Sequence, residues 1–177
     1  MTDISRVVRY TSKGLAELVS AKNQGLKGAV THIGAGTAMY DPPADGSQVA
    51  LKAEKQRVAI SDYEDLGAGS LRMVGVFRGD LEYPVGEYGF YLESGTLLAV
   101  YSVAGQLLNY KAATAVMAQK FTLDLTPLPT DSVTVEVGEA NLNILMTEEI
   151  AALATASIDN MARHINMLLR VMELEAK

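Results

Sequence analysis

The sequence contains no cysteine, no tryptophan and only two histidines, His32 and His164. Without cysteine, a disulfide framework, thiol chemistry and a cysteine-bound zinc are all excluded, while the redox compartment stays open. No apolar run reaches the roughly 20 residues that a membrane-spanning helix needs. The first residues, MTDISRVVRYTSKG, are polar and contain no signal-peptide core. We therefore expect a soluble protein without an export signal and without membrane contact.

The chain also lacks any run of basic residues, and its formal net charge is -6. Phosphate recognition needs clustered lysine and arginine, so nucleic acid is not an expected partner. Of the 177 residues, 49% are apolar, which is too many for a chain that is disordered by composition. This length and composition predict a β-rich domain of ordinary size with its own core.

Catalytic and cofactor signatures are missing as well. The segment HIGAG after an apolar stretch suggests a dinucleotide-binding loop, but Met39 stands where the third glycine of that motif belongs. The two histidines are far apart, and no ligand set has metal-site spacing. No serine lies in a G-x-S-x-G motif. Acidic residues occur mainly in predicted loops, where they favour solubility: Asp41, Asp45, Glu64, Asp65, Asp80 and Glu82. We predict no catalytic, cofactor-binding or metal-binding residue, and no enzyme.

A β-hairpin is the clearest local feature of the chain. It spans Glu87 to Ser102, written EYGFYLESGTLLAVYS, with Gly95 closing a short turn. Alternation places one set of side chains on one face of the two arms: Tyr88, Phe90, Leu92, Leu97, Ala99 and Tyr101. Most of these aromatic and aliphatic side chains are expected in the core.

The remaining segments complete the predicted fold class. Thr11 or Ser12 can cap a short helix that ends near Gly25. Further strands are predicted at these ranges: 28–39, 57–61, 71–78, 121–125 and 133–137. There is no steady alternation of strand and helix, so a doubly wound parallel fold is not expected. We predict an α+β class, in which residues 1–145 form a mostly antiparallel β-sheet or sandwich domain with a short N-terminal helix.

Residues 146–177 are predicted to form a long C-terminal helix for oligomerisation. Thr147 offers a cap, two glutamates follow it, and no glycine or proline interrupts the rest of the chain. A seven-residue register places apolar side chains along one seam, and its breadth favours three strands over two. The predicted oligomerisation residues are Ile158, Met161, Ile165, Leu168 and Met172. The pattern alone equally fits an amphipathic helix that folds back on its own domain.

Five segments occur in an order that resembles one protein family. They are TSKGLAEL (11–18), THIGAGTAMYDPPADGS (31–47), LKAEKQRVAI (51–60), the hairpin (87–102) and MTEEI (146–150). In this order they resemble the N-terminal, baseplate-attachment domain of phage tail-collar fibre proteins of contractile tails and tailocins. The family commonly carries an acid and an arginine at the place of Glu54 and Arg57, which implies a structural pairing. It typically carries an aspartate where Ala35-Gly36-Thr37 stands here.

The resemblance implies a structural protein of the bacteriophage virion. It implies a homotrimer, its C-terminal helices forming a trimeric coiled coil, that docks on a baseplate protein and presents a joint for a further, distal fibre protein. Such a tail-fibre adaptor is made in the bacterial host cytoplasm, resides at the virion tail and baseplate, and contributes to host attachment. The alternative is a small-molecule or carbohydrate-binding β domain that self-associates through its last helix. That alternative predicts a concave pocket lined by the aromatic residues.

Overall fold

A computed structural model gives the fold. It describes residues 8–67, 69–129 and 131–138, and near the C-terminus residues 161, 163–165, 167 and 170–172. The chain divides into two compact units, Met1–Asn141 and Leu142–Lys177. In the described residues no helix is long and apolar enough to cross a membrane.

The first unit consists of one helix and ten strands within its described residues. They are β1 (Arg9–Tyr10), α1 (Ser12–Asn23), β2 (Gly28–Gly36), β3 (Glu54–Gly67), β4 (Ser70–Phe77), β5 (Tyr83–Val85), β6 (Glu87–Leu92), β7 (Leu97–Ser102), β8 (Asn109–Lys111), β9 (Met117–Asp124) and β10 (Val133–Val135). Helix α1 begins as predicted, because the Thr11 side chain accepts a hydrogen bond from the Gly14 N–H at 3.0 Å.

Eight strands form one sheet, in the order β1-β7-β6-β2-β3-β4-β9, with β10 paired in parallel to the start of β2. All other pairs in this sheet are antiparallel, and β5 and β8 form a separate two-stranded sheet. The long sheet curls into a half-barrel. Its curl is visible where Phe121 of β9 meets Tyr88 and Phe90 of β6, at ring-centroid distances of 4.7 and 5.1 Å, although three strands separate β6 from β9.

The predicted fold class is wrong. The protein is mostly antiparallel β rather than α+β, and a curled sheet replaces the expected sandwich. Curling lets the two ends of one sheet pack against each other, so a second layer is not needed to cover the apolar face. Among the described residues, the predicted long C-terminal helix with its trimeric coiled coil is not seen either. A heptad pattern does not by itself supply the packing that stabilises such a helix.

Within residues 146–177, the described positions 161, 163–165, 167 and 170–172 are helical. The predicted start of the helix at Thr147, the seam residues Ile158 and Leu168, and the predicted domain boundary at 145/146 lie outside the described residues. The boundary and the oligomerisation role therefore stay predictions.

The central hairpin is confirmed, with one change of face. Strands β6 and β7 pair through Tyr88 opposite Tyr101 and Phe90 opposite Ala99, and Gly95 takes a φ of 83° in the turn. The register then shifts, so that Tyr91 lies opposite Leu97 and Leu98 is the extra residue. This bulge turns Leu98 into the main core and Leu97 into a second cluster with Leu51, Tyr91 and Val100. The prediction that Leu97 shares the face of Ala99 is wrong for this reason.

Residues 64–70, EDLGAGS, lie between the predicted strands 57–61 and 71–78, where the sequence predicts a loop. Most of this segment instead extends the hairpin of β3 and β4, in which Glu64 lies opposite Arg72 and Asp65 opposite Leu71. The last five residues of β3 are exposed. We call the outer, mostly exposed end of this hairpin, residues 62–67 of β3 and residues 70–72 at the start of β4, the arm of the sheet.

Candidate functional site

The two ends of the curled sheet approach each other along a line that we call the seam, between β1 and β7 on one side and β9 on the other. At one end of the seam the Tyr10 hydroxyl donates a hydrogen bond to the backbone oxygen of Asp124 at 2.5 Å. Burial, followed by the negative charge of Asp124, raises the pKa of Tyr10, so the phenol keeps its proton at neutral pH. A side chain rather than backbone pairing therefore bridges the seam here.

Next to this bridge lies a cleft of about 290 Å³. Its nine lining residues are Val8, Tyr88, Tyr101, Gln106, Leu108, Gln119, Lys120, Phe121 and Thr122. The aromatic side chains of the cleft include two of the residues that the sequence placed in the hairpin core. The cleft therefore combines residues of the hairpin with residues of β9, and local sequence patterns could not predict that combination.

Tyr88 forms the floor of this cleft. Its ring is 3% exposed and packs edge-on against Phe121. Its hydroxyl is buried without a hydrogen-bond partner of good geometry among the described residues. Burial raises the pKa of Tyr88 to about 12, and the nearby Asn109 amide lowers it by less. The floor is therefore neutral at physiological pH.

Glu87 has a structural role that the sequence patterns did not predict. This carboxylate is fully buried and accepts hydrogen bonds from the Lys52 N–H at 2.9 Å, the Ala53 N–H at 2.6 Å and the Tyr40 hydroxyl at 2.9 Å. The loop of residues 37–53 is thereby tied to the first residue of the central hairpin. The Lys52 ammonium lies 3.8 Å from the centre of the Tyr40 ring, which adds a cation–π contact to the same loop.

The predicted pairing of Glu54 with Arg57 is confirmed. The Arg57 Nε and an Nη each donate to the Glu54 carboxylate at 2.9 Å, and the guanidinium stacks 3.5 Å from the centre of the Tyr91 ring. Residues three apart in a regular strand face opposite sides, but Gly36 pairs with Glu54 while Ala35 pairs with Gln56. Lys55 is thus the extra residue of a bulge, which brings Glu54 and Arg57 to one face.

The Tyr91 hydroxyl completes this cluster by donating to Glu54. Burial alone would raise the pKa of Glu54, but the hydrogen bonds from Arg57 and Tyr91 and the charge of Arg57 outweigh it, so the pKa lies below its ordinary value. Within the cluster, the positive charge of Arg57 balances the negative charge of Glu54. We therefore interpret the cluster as a structural contact between β3 and β6, not as a ligand site.

The glycines of HIGAG have a packing role. A Cβ at Gly34 would lie 2.9 Å from the Tyr91 ring, and one at Gly36 would collide with the Glu87 carboxylate. Both belong to β2, and no helix follows them. The structure thus gives this motif the geometry of a tightly packed strand, not of a phosphate-binding loop.

His32 is exposed on β2, with Nδ1 2.8 Å from the Thr31 hydroxyl oxygen. His164 is exposed in the second unit. Among the described residues, no three side chains of histidine, aspartate or glutamate converge as metal ligands would.

Three of the five predicted oligomerisation residues are described, and each is exposed. Met161, Ile165 and Met172 have 63%, 56% and 64% of their surface accessible, and Met167 and Val171 are also exposed. The apolar side chains at the described helical positions of the second unit are therefore exposed.

Comparison with known protein families, with curated proteins and with solved structures finds no match for this chain. The tail-fibre resemblance therefore rests on the order of the five sequence segments alone.

Proposed function

We propose that this chain is a structural component of a phage or tailocin tail: a homotrimeric fibre or adaptor protein whose β unit attaches to the baseplate. The order of the five segments motivates the attachment role. The observation that carries the proposal is the exposure of Met161, Ile165 and Met172 on helical residues. Helical apolar side chains that stay more than half exposed in the single chain favour association with further copies or partners.

The β unit also exposes apolar side chains that such a partner could contact. Leu81 lies just before β5, Tyr110 belongs to β8, and Val116 lies just before β9; about half of each side chain is exposed. The Tyr110 hydroxyl donates to Glu82, which connects the two-stranded sheet to the loop before it. Tyrosine is favoured in protein interfaces because its ring is apolar and its hydroxyl is polar.

The test of self-association is the solution mass of the full chain by light scattering. The first variant carries M161E, I165E and M172E, and the matched control carries V19E, L26E and V49E, at exposed apolar positions of the first unit. We expect a trimer for the native chain and the control, and a smaller species for the helix variant. A native monomer, or a control that dissociates equally, would contradict the proposal.

Attachment requires its own test. In purified tailed particles that carry the chain, gold-labelled antibodies against the β unit should mark the baseplate end of the tail. Label that is absent from the particles, or spread over the capsid, would exclude the attachment role even if the chain is a trimer.

A further inference from the structure

Four consecutive residues of β9 line the cleft at the seam: Gln119, Lys120, Phe121 and Thr122. Side chains of a strand alternate between its two faces, so a pocket on the inner face would be lined by every second residue. A cleft that touches four residues in a row instead runs along the edge of the strand. What it exposes is therefore the backbone of β9 together with side chains of both faces.

The register shows which backbone groups lie on that edge. The Leu125 N–H donates to the Gly69 oxygen, and the β4–β9 pairing continues this register through Leu123 opposite Leu71 and Phe121 opposite Met73. In an antiparallel pair, hydrogen-bonded and non-hydrogen-bonded positions alternate. Phe121 and Leu123 thus bond to β4, whereas Lys120 and Thr122 direct their N–H and C=O groups away from it. The Asp124 oxygen, which has the same parity, accepts from Tyr10 across the seam.

Among the described residues, the opposite side of the seam is also incompletely paired. Strand β1 covers β7 only at Val100 and Ala99, through Arg9 and Tyr10. At its bridged end the seam is closed by the Tyr10 side chain and not by backbone hydrogen bonds of the kind that hold paired strands ~4.8 Å apart. In the part of the chain that the structure describes, β9 has no strand partner other than β4.

We propose that the seam binds an extended peptide segment of a partner protein, which adds to the free edge of β9 as a further strand. The N–H and C=O groups of Lys120 and Thr122 would bond to its backbone, as in other cases of strand addition. Its inward side chains would be apolar, since they meet Phe121, Tyr101 and Leu108. Its outward side chains would be polar or acidic, because Lys120 is the only charged residue among the nine that line the cleft.

The geometry disfavours two other occupants. A second copy would bring its own β9 with β4 attached, and so two strands into a gap that one tyrosine side chain spans at its end. A small ring-shaped ligand would need polar groups that converge on one point, whereas the polar groups here follow a strand edge. The proposal does not depend on the tail-attachment function.

The test uses the full chain and a fluorescein-labelled peptide, TVEVEVT, in which apolar and acidic residues alternate. The control peptide TVVVEET has the same composition without alternation. Thr122→Pro removes an N–H that β4 does not use, a substitution that edge strands tolerate, while Thr122→Val keeps the N–H. We expect saturable binding of the alternating peptide by fluorescence anisotropy, at least tenfold weaker for T122P and within about twofold of native for T122V. Amide hydrogen exchange should slow at Lys120 and Thr122 on binding.

A second probe keeps the test decisive if T122P does not fold. The alternating peptide with methylated backbone nitrogens should lose its affinity for the native chain. The proposal is overturned by equal binding of the two peptides, by retained affinity of the methylated peptide, or by no saturable binding up to about 1 mM. Saturable binding of glucose, galactose or N-acetylglucosamine in the absence of peptide binding would assign the cleft to a small ligand instead.

Discussion

The centre of the sheet and its arm are built from the same antiparallel pairing, yet they differ in burial. All six residues of β6 are buried, whereas the last five residues of β3 are exposed. The centre is covered on both faces because the loop of residues 37–53 is held over it by Glu87. The arm has no such cover. The difference indicates that burial, and with it most of the expected stabilisation, is concentrated in the centre, whereas the exposed arm is accessible to other molecules.

The largest expected difference between the two regions follows from truncating one aromatic ring in each. Phe90→Ala removes a fully buried ring of the centre and should lower the free energy of unfolding by about 3–5 kcal/mol. Tyr63→Ala removes a half-exposed ring of the arm and should change it by less than about 1 kcal/mol. Urea unfolding followed by circular dichroism measures both, and equal losses would show that the arm is as tightly packed as the centre.

Glu87→Gln tests whether Glu87 holds the loop of residues 37–53 over the centre of the sheet. The amide can accept fewer hydrogen bonds than the carboxylate, so one of the donors from Lys52, Ala53 and Tyr40 is left poorly satisfied. We expect a loss of about 1–3 kcal/mol and faster amide exchange at Lys52 and Ala53. Glu82→Gln, directly before β5 of the two-stranded sheet, is the matched control. Unchanged exchange at both amides would show that Glu87 does not hold the loop.

Lowering the pH should weaken the stabilising contribution of Glu54 in the cluster with Arg57 and Tyr91. The folded-state pKa of Glu54 lies below its ordinary value of 4.5, so its charged form stabilises the fold above that pH. This contribution is lost as the pH falls through the lowered folded-state pKa. The stability difference between the native chain and Glu54→Gln should therefore shrink in urea melts as the pH is lowered from about 7 to 3. A difference that grows on acidification would contradict the sign of the shift.

A smaller effect is expected for Tyr91→Phe, which removes the hydroxyl donor to Glu54 but keeps the ring under Arg57. The cost should be about 0.5–1.5 kcal/mol at neutral pH. Tyr91→Leu removes the stacked ring as well and should cost more. Equal effects of the two variants in thermal melts would mean that the stacking contributes nothing measurable.

The smallest effect is expected in the arm. Arg72 and Glu64 form an ion pair at 3.0 Å, and both side chains are substantially exposed. Arg72→Gln should change the stability by no more than about 0.5 kcal/mol, and added salt should remove what difference there is. A loss comparable to that of Glu87→Gln would mean that the arm depends on its surface charges.

Local patterns predicted the parts of the fold that local chemistry determines. The cap at Thr11, the turn at Gly95 and the alternation of Tyr88 and Phe90 each depend on neighbours within a few residues. The face of Leu97 was missed because a one-residue bulge leaves no signature in alternation. Strand β3 was predicted too short because its exposed end is polar, as a loop would be.

The candidate site could not be predicted in the same way. Tyr10 and Asp124 are joined across 114 positions, and Phe121 reaches Tyr88 only because the sheet curls. Glu87 stood in the sequence as an ordinary polar residue at the start of a strand. Its burial depends on three donors that lie 34 to 47 residues earlier in the chain. Such long-range arrangements have no local sequence pattern.

The parallel pairing of β10 with β2 has a consequence for how the chain acquires its structure. Val133 lies opposite Gly28 and Val135 opposite Val30, so strands more than a hundred residues apart must meet. Pairings of such high sequence separation slow folding, because the loop entropy is lost before the contacts form. During synthesis, the first residues of β2 cannot pair with β10 until nearly the whole β unit has left the ribosome. We therefore expect slow refolding, limited by the pairing of β10 with β2 rather than by formation of the central hairpin.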